Sequence, residues 1–393
     1  MTSVLISGLG IAGPTLAYWL RRYGFTPTIV ERAPAPRTGG YMLDFWGVGY
    51  DVAERMEIAP AIKRDGYHIR ELRLVDSRGH RIGGMDVSVF EAVANGRATS
   101  LPRGDLARDI IDRLQSDVEI LFDDSITQLD EQRDGITVSF ERAPARRFDF
   151  VVGADGLHSN VRRLVFTDTP ELYLGYQAAA FSVEGYPHRD DGVYVSYATP
   201  GRQIARYALR DGRSGFLLVF RSEERLAVAP HDVAAQKDAL RRVFAGAGWE
   251  CDEILASMDR SDDLYFDAVA QMRMPHWSHG RTALVGDAAY CPSLLAGEGS
   301  ALGMAGAYIL AHALATHRDD HRLAFAGYER DFKPFVDAKQ VAAARFAAWF
   351  APTTPFRLWL RNVGTNAMNL PLVGTMMAKR SFADRYELPA AID

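Results

Sequence analysis

The feature that most constrains the fold is a glycine-rich hexapeptide near the N-terminus. Gly8-Leu9-Gly10-Ile11-Ala12-Gly13 directly follows the apolar run Val4–Ile6, and helical spacing continues from Ala12 to Tyr23. In such a strand–turn–helix unit the first glycine permits the turn, the second lets a pyrophosphate approach the backbone, and the third lets helix and strand pack closely. The helix N-terminus then offers free N–H groups and a partial positive charge to phosphates.

An acidic residue further along strengthens this interpretation. A second strand, Thr28–Val30, ends at Glu31, where a carboxylate can accept hydrogen bonds from the hydroxyls of an adenosine ribose. The alternative is a tight structural turn with a surface glutamate. Because strand, helix and acid are all present, we predict a dinucleotide site. The motif itself leaves open whether the dinucleotide is NAD or FAD.

Composition and charge exclude several other classes of protein. The 393 residues suit two domains, and 48% hydrophobic with 24% charged residues is typical of a globular chain. A net charge of -5 gives no reason to expect nucleic acid as a partner. No apolar run reaches the length of a membrane span and no secretory signal is apparent, so we expect a cytoplasmic protein. Cys251 and Cys291 lack the spacing of a metal site or a disulfide framework, so no metal is expected.

Two later segments resemble motifs of one flavoprotein family. The run Phe148-Asp149-Phe150-Val151-Val152-Gly153-Ala154-Asp155-Gly156, followed by Ser159 and Arg162, resembles the Asp-Gly motif of the para-hydroxybenzoate hydroxylase family. The run Arg281–Ala289, which contains Gly286-Asp287 and is followed by Pro292 and Gly297-Glu298-Gly299, resembles that family's Gly-Asp motif. These are the class A flavoprotein monooxygenases, which include phenol, salicylate, aromatic polyketide and tetracycline-inactivating hydroxylases. All three motifs occur in the family's order and spacing, over roughly residues 1 to 340.

The resemblance implies FAD as cofactor and a set of residues that bind it. By this resemblance Asp287 accepts hydrogen bonds from the ribityl hydroxyls, Arg103 contacts the ribityl and phosphate region, and the helix that starts at Gly299 faces the flavin pyrimidine edge. Asp155 resembles the residue that links FAD and NAD(P)H binding, although it could act only by fixing the Gly156 loop. The full set of candidate cofactor-binding residues is Gly8, Gly10, Ile11, Ala12, Gly13, Glu31, Arg32, Gly40, Arg103, Asp155, Gly286, Asp287, Pro292, Gly297 and Gly299.

The expected fold class is α/β, with a discontinuous domain arrangement. We predict a Rossmann-like FAD-binding domain of the para-hydroxybenzoate hydroxylase type from residues 1–70, 98–173 and 271–340. An antiparallel-sheet substrate domain is predicted from 71–97 and 174–270, where short alternating strands are separated by Pro-Gly and Asp-Gly turns. Residues 341–393 are predicted to form helices that bridge the two domains.

The resemblance also implies a reaction. NADPH or NADH would reduce FAD, O2 would add at the flavin C4a position, and the resulting C4a-hydroperoxide would transfer one oxygen atom to an aromatic or phenolic small molecule. Because the flavin carries this chemistry, no side-chain triad is required, and the sequence identifies no catalytic base. The histidines and tyrosines of the β segment are candidates only as a group: His188, Tyr194, Tyr197 and Tyr207.

Two other functions stay open at this stage. One is a different flavin reaction on the same scaffold, by an epoxidase, dehydrogenase or halogenase. The other is FAD binding without catalysis. Halogenases of this fold carry a Trp-x-Trp-x-Ile-Pro element, and all six tryptophans here are isolated. The complete set of cofactor motifs disfavours a protein that only binds FAD.

The chain departs from the family pattern close to the Gly-Asp motif. Tyr290 and Ser293 replace the usual His and second Pro, and Glu298 replaces the common Gln. Ala301 and Gly306 replace the usual Asn and Asp. We expect these changes to alter the floor of the substrate pocket while leaving FAD binding intact.

The C-terminal region, Pro355 to Arg380, has the spacing of an amphipathic helix broken near Pro371. We expect it to bury its apolar face across both domains. The alternatives are that it closes the substrate cavity or contacts a membrane surface.

Overall fold

The structure, a computed structural model, describes residues 1–36, 41–88, 93–114, 117–187, 189–229, 231–382 and 386–392. Within these ranges the strands are β1 (Ser3–Ser7), β2 (Thr26–Glu31), β3 (Met42–Trp46), β4 (Glu71–Val75), β5 (Arg81–Asp86), β6 (Ala98–Pro102), β7 (Glu119–Phe122), β8 (Ile126–Gln132), β9 (Gly135–Phe140), β10 (Arg146–Phe148), β11 (Phe150–Gly153), β12 (Glu171–Val183), β13 (Val193–Thr199), β14 (Arg202–Ala208), β15 (Ser214–Arg221), β16 (Tyr265–Met272), β17 (Ser278–His279) and β18 (Thr282–Leu284). The α-helices in the same ranges are α1 (Ala12–Arg22), α2 (Val48–Arg55), α3 (Ala59–Asp65), α4 (Arg103–Asp112), α5 (Asn160–Val165), α6 (Val233–Phe244), α7 (Cys251–Ser257), α8 (Asp287–Tyr290), α9 (Gly299–Thr316), α10 (His321–Phe350), α11 (Pro355–Ala367) and α12 (Pro371–Phe382).

A six-stranded sheet in the order β17-β18-β11-β1-β2-β7 carries the N-terminal glycine motif. Strand β1 pairs in parallel with β2 and β11, and β11 pairs in parallel with β18. Val4, Leu5 and Ile6 of β1 are completely buried, because a central parallel strand is covered by other elements on both faces. The predicted βαβ unit and the Rossmann-like α/β fold are therefore confirmed.

Helix α9 packs against three other helices, α1, α2 and α10. Its residues are apolar or small on all sides, as in a helix that is buried on every face. Gly303 lies against α1, where a Cβ at this position would make an ordinary contact of 3.5 Å with the Cβ of Ala12. This packing brings the N-terminus of α9 next to the glycine motif.

A seven-stranded sheet in the order β16-β12-β15-β14-β13-β4-β5 forms a second layer. Its neighbouring strands are antiparallel except for the parallel pair β4 and β13. Successive side chains of a strand point to opposite faces. In β13, Val195 and Tyr197 pack in a hydrophobic cluster with residues of α6 and α7, whereas Tyr194 and Ser196 line a cavity on the opposite face.

The C-terminal helices differ from the prediction in one respect. Helix α11 is amphipathic, but its buried residues are the polar Arg361 and Thr365, whereas Phe356 and Trp359 are exposed. Arg361 donates a hydrogen bond of 2.7 Å to Gln203 of β14, and this bond directs the polar face inward. The expectation that this helix buries its apolar face was therefore wrong.

Candidate functional site

One large cavity lies between the six-stranded and seven-stranded sheets. Its volume is about 2130 Å³, and its lining extends from the loop that includes Gly8 and Gly10 to Tyr194 and Tyr207 of the second sheet. Cavities for one drug-sized ligand usually measure about 300–1000 Å³. The space is therefore sufficient for an extended dinucleotide and a second molecule.

The glycine motif forms one end of the cavity as predicted from its spacing. Gly8 has a φ of +108°, and a Cβ there would lie 2.6 Å from the carbonyl oxygen of Ala154. A Cβ at Gly13 would lie 1.9 Å from the carbonyl oxygen of Gly8, so only glycine allows α1 to pack on β1. A Cβ at Gly10 would instead approach no backbone, and its one close neighbour would be Nη2 of Arg103 at 3.0 Å. A phosphate at Gly10 would meet both backbone and a guanidinium.

Two helix N-termini face the cavity without a side-chain cap. Helix α1 begins after Ile11 and α9 begins after Glu298, and neither of these residues accepts a capping hydrogen bond from its helix. The first N–H groups of a helix have no intrahelical acceptor and carry a partial positive charge. Both helices can therefore bind negatively charged or hydrogen-bond-accepting parts of a ligand, α1 through Ala12 and Gly13 and α9 through its first turn at Gly299.

Glu31 lies at the end of β2 beside the glycine loop. Its Oε2 accepts a hydrogen bond of 2.8 Å from the Leu9 amide, and its Oε1 accepts one of 2.9 Å from the Ala33 amide. Glu31 therefore holds the loop while both carboxylate oxygens keep further lone pairs for a ribose. Arg32 is exposed and also lines the cavity. Gly40 lies outside the described residues.

Asp287 lies in the middle of the cavity wall, in the first turn of the short helix α8. A Cβ on Gly299 would lie 3.3 Å from its Oδ1, so the carboxylate stands at the start of α9. Burial raises the pKa of Asp287, and the Arg103 guanidinium partly opposes this shift. A carboxylate in this position is stabilised by ligand hydroxyls that donate hydrogen bonds to it.

Asp155 lines the same cavity but is already bound by the protein. Its carboxylate accepts hydrogen bonds from the hydroxyls of Ser7 and Ser159 and from the amides of Asn160 and Val161. These contacts connect β1 to the start of α5. Three of these hydrogen bonds span the turn that contains Gly156.

The remaining candidates shape the wall around Asp287. Gly286 and Gly297 have left-handed φ values of 67° and 69° and line the cavity. Pro292 lies behind the lining, where its carbonyl oxygen accepts a hydrogen bond of 2.7 Å from Gln271.

The five departures from the family pattern fall into two groups. Ser293 and Glu298 line the cavity, and Glu298 forms an ion pair of 2.8 Å with Lys339 of α10. Tyr290, Ala301 and Gly306 are buried behind the lining. Ser293 and Glu298 therefore contribute directly to the cavity lining, whereas the other three replacements could affect it only through packing. The Tyr290 hydroxyl occupies the space beside Gly306 and contacts the Tyr328 hydroxyl at 3.0 Å.

Several cavity residues were missed in the sequence. Asp44 of β3 is accessible through the cavity and accepts a hydrogen bond from the Ser100 hydroxyl, while desolvation raises its pKa. Of the tyrosines that the sequence offered as a group, Tyr194 and Tyr207 do line the cavity, with stacked ring centroids 5.9 Å apart, whereas Tyr197 lies away from it and donates to the Ala247 carbonyl. The only feature of the sequence that could separate the tyrosines that line the cavity from Tyr197 was the alternation of side chains along their strands. His188 lies outside the described residues.

Further residues of the cavity wall are two tyrosines, Tyr41 and Tyr265, and side chains of the C-terminal helices. These are Tyr41, Tyr265, Phe346, Trp349, Phe350, Arg361, Thr365, Met368 and Met377. The ring centroids of Tyr41 and Tyr265 lie 5.2 Å apart. The C-terminal helices therefore close part of the cavity, as one of the sequence-based alternatives proposed.

The described ranges contain neither a metal-binding cluster nor a membrane-crossing helix. No group of three or more His, Cys, Asp or Glu side chains in those ranges could hold a metal ion. No helix in the same part of the chain is long and apolar enough to cross a membrane.

The residues at the glycine end fit FAD. Gly10 leaves open backbone beside a guanidinium, two uncapped helix N-termini face the space, and the desolvated Asp287 carboxylate stands between them. Glu31 lines the cavity beside the glycine loop, where its carboxylate can accept hydrogen bonds from a ribose.

Comparisons with known proteins agree with this geometry. The model of the FAD binding domain family matches residues 1–338. An uncharacterized protein of Mycobacterium tuberculosis strain H37Rv is 40% identical over 347 residues, covering 86% of this chain and 92% of that one. A flavin-dependent monooxygenase of Legionella longbeachae is 36% identical over 357 residues, covering 88% of each. The crystal structure of the tetracycline destructase Tet(55) superposes with a TM-score of 0.85 at 33% identity, covering 98% of both chains.

The fold and site define an FAD-dependent flavoprotein oxidoreductase. The chain belongs to the FAD binding domain family and, within it, to the class A flavin-dependent monooxygenases.

Proposed function

We propose that the protein is a single-component monooxygenase that uses NADPH or NADH and O2 to hydroxylate an aromatic or phenolic small molecule. Bound FAD would supply the redox and oxygen-activating chemistry. The protein's own contribution is to hold the cofactor, orient the ring and exclude water. Cys251 and Cys291 are free, buried thiols, which suits our proposal of a reducing, cytoplasmic environment.

The observation that carries this proposal is the continuity of the cavity. The cofactor residues Gly10 and Asp287 line the same space as the tyrosine pair Tyr194 and Tyr207. A flat aromatic molecule can pack against such rings while it lies beside the cofactor. We therefore assign residues 1–70, 98–173 and 271–340 to cofactor binding and residues 71–97 and 174–270 to substrate binding, with 341–393 bridging the two.

Two polar groups are suited to orienting the substrate. Ser196 of β13 belongs to the cavity wall, and its hydroxyl oxygen is buried there without a hydrogen-bond partner among the described residues. A buried hydroxyl without a partner costs free energy, which a hydrogen bond to a substrate oxygen would offset. Ser196 is therefore our candidate for substrate recognition.

Asp44 is our candidate for the proton acceptor. Its carboxylate faces the cavity and is held by the Ser100 hydroxyl. Because desolvation raises its pKa, the carboxylate is a stronger base than an ordinary aspartate. Removal of a phenol proton makes the ring richer in electrons and so more reactive toward an electrophilic oxygen.

The size of the cavity favours a polycyclic substrate over a single ring. The similarity to a tetracycline destructase at 33% identity supports the same choice. We therefore include tetracyclines and polycyclic phenols among the substrates to be tested.

The direct test is aerobic oxidation of NADPH and NADH by the FAD-loaded protein, with and without a panel of phenols and polycyclic aromatics. We expect one substrate to accelerate oxidation and to yield a product one oxygen atom heavier. Ser196→Ala should raise KM for that substrate, while Leu323→Ser, on the surface of α10, serves as the matched control. Oxidation of neither nucleotide under any condition would contradict a self-contained monooxygenase.

A further inference from the structure

The C-terminal helices present an apolar surface to solvent. It comprises the exposed side chains of Phe346, Trp349, Phe356, Trp359, Leu360, Val363, Leu370, Leu372 and Met376, which we call the C-terminal apolar face. Phe356 is 67% exposed, Trp359 58% and Leu372 88%. The Phe356 and Trp359 rings stack with centroids 6.0 Å apart, and so many large apolar side chains exposed on neighbouring helices are unusual in a protein without a partner.

The orientation of α11 shows that this exposure is built into the fold. Its inward side is polar: Arg361 bonds Gln203, and the Asn366 side chain accepts a hydrogen bond of 2.8 Å from the Gly84 amide. Just beyond the helix, Asn369 donates to the Gly84 carbonyl at 2.8 Å. These bonds anchor α11 to β5 and β14 by its polar side, so its apolar side must face outward.

The charged side chains of residues 341–382 are all positive. This segment contains no Asp or Glu and five Arg and Lys residues, one of which is the inward-facing Arg361, whereas the whole chain has a net charge of -5. Arg345 and Arg357 are exposed, and in the chain they directly adjoin Phe346 and Phe356. A helix with Trp, Phe and Leu on one side and cations beside them has the composition of helices that lie in the interface of an anionic bilayer.

We propose that the C-terminal apolar face binds the surface of an anionic lipid bilayer. Phe356, Trp359 and Leu372 would enter the boundary between headgroups and acyl chains, and Arg345 and Arg357 would contact lipid phosphates. The uniform positive charge favours anionic lipid over a second copy of this chain, because two such faces would repel each other. Phe346 and Trp349 belong both to this face and to the cavity lining, so the bilayer would adjoin the cavity.

The test is flotation of the FAD-loaded full chain with vesicles. One set contains phosphatidylcholine alone, and the other contains phosphatidylcholine with phosphatidylglycerol. We expect binding to the anionic vesicles, much weaker binding to the neutral ones, and loss of binding as NaCl is raised. The double variant Phe356→Ser/Trp359→Ser and the double variant Arg345→Glu/Arg357→Glu should each bind at least about tenfold more weakly.

Leu323→Ser is the matched control, since Leu323 is 56% exposed and lies at the other end of α10. It should bind vesicles like the unmodified protein, and circular dichroism should show that every variant is folded. Failure of the unmodified protein to float with anionic vesicles would overturn the proposal. A concentration-dependent dimer that Phe356→Ser/Trp359→Ser abolishes, without vesicle binding, would do the same and would identify a second copy as the occupant.

Discussion

The Lys339 ammonium lies 2.8 Å from the Glu298 carboxylate at the point where helix α9 begins. Both side chains are largely buried and both line the cavity. The positive end of α9 would favour negative charge on the pyrimidine edge of a reduced flavin, but a lone carboxylate at the same place would oppose it. Lys339 therefore neutralises the residue that replaces the family's glutamine.

This ion pair predicts opposite shifts in the flavin midpoint potential. Lys339→Met should lower the potential because it leaves the Glu298 carboxylate uncompensated, and Glu298→Gln should raise it. Each shift should be on the order of tens of millivolts. The double variant should return close to the original value, measured by dye-coupled photoreduction. Equal potentials in all four proteins would mean that the pair does not act on the flavin.

The second prediction concerns FAD affinity. Asp287→Ala should weaken FAD binding by about 1.5–3 kcal/mol, because it removes a desolvated, charge-assisted acceptor. Glu31→Ala should weaken FAD binding less, and should also lower the melting temperature of the apoprotein, because Glu31 holds the Leu9 and Ala33 amides. Titration of apoprotein with FAD gives both affinities. Unchanged affinity in both variants would remove the assignment of the cofactor site.

The third prediction is a pH profile. If Asp44 accepts the substrate proton, kcat/KM should fall as pH is lowered through a pKa above the ordinary aspartate value of 3.8, because the carboxylate becomes protonated. Asp44→Asn should lower kcat/KM by about 10²- to 10⁴-fold and remove this limb of the profile. FAD affinity serves as the control and should not change. An unaltered profile in Asp44→Asn would exclude this residue as the base.

The fourth prediction concerns stability and pH. Burial raises the pKa of Asp109 to about 6, and its Oδ2 is buried without a hydrogen-bond partner in the part of the chain that the structure describes. The folded state therefore binds more protons than the unfolded state between about pH 4 and pH 6, so stability should fall as pH rises through this window. Asp109→Asn should flatten this fall and stabilise the protein at pH 7 by about 1–2 kcal/mol. Urea unfolding at pH 4.5 and pH 7 measures both effects, and a steeper fall in the variant would contradict the assignment.

The fifth prediction tests the pairing of two departures from the family pattern. A Cβ at Gly306 would lie 1.8 Å from the Tyr290 hydroxyl oxygen, which is held between Trp277 and Phe332. Gly306→Ala should destabilise the fold by about 1–3 kcal/mol through overpacking. Tyr290→Phe/Gly306→Ala should recover part of this loss, since the nearest atom is then 3.0 Å away. Additive effects of the two changes would show that the positions are not coupled.

The sequence by itself determined the local structure of the motifs that form the cofactor site. The turn at Gly8, the close packing at Gly13 and the position of Glu31 follow from local chain geometry, since a strand, a tight turn and a helix leave few other arrangements. The Gly-Asp motif likewise indicated Asp287 before its place beside Gly299 was known.

Only the tertiary structure decided which faces meet the cavity. Alternation in β13 predicts that Tyr194 and Tyr197 lie on opposite faces, but not which face packs against helices. Asp44 carries no motif, and its role depends on Ser100, 56 residues away, which holds it. The amphipathic pattern of α11 is the same whether its apolar side faces inward or outward. Its outward orientation depends on the hydrogen bonds of Arg361 and Asn366 to distant strands, and such long-range contacts leave no periodic signal in the sequence.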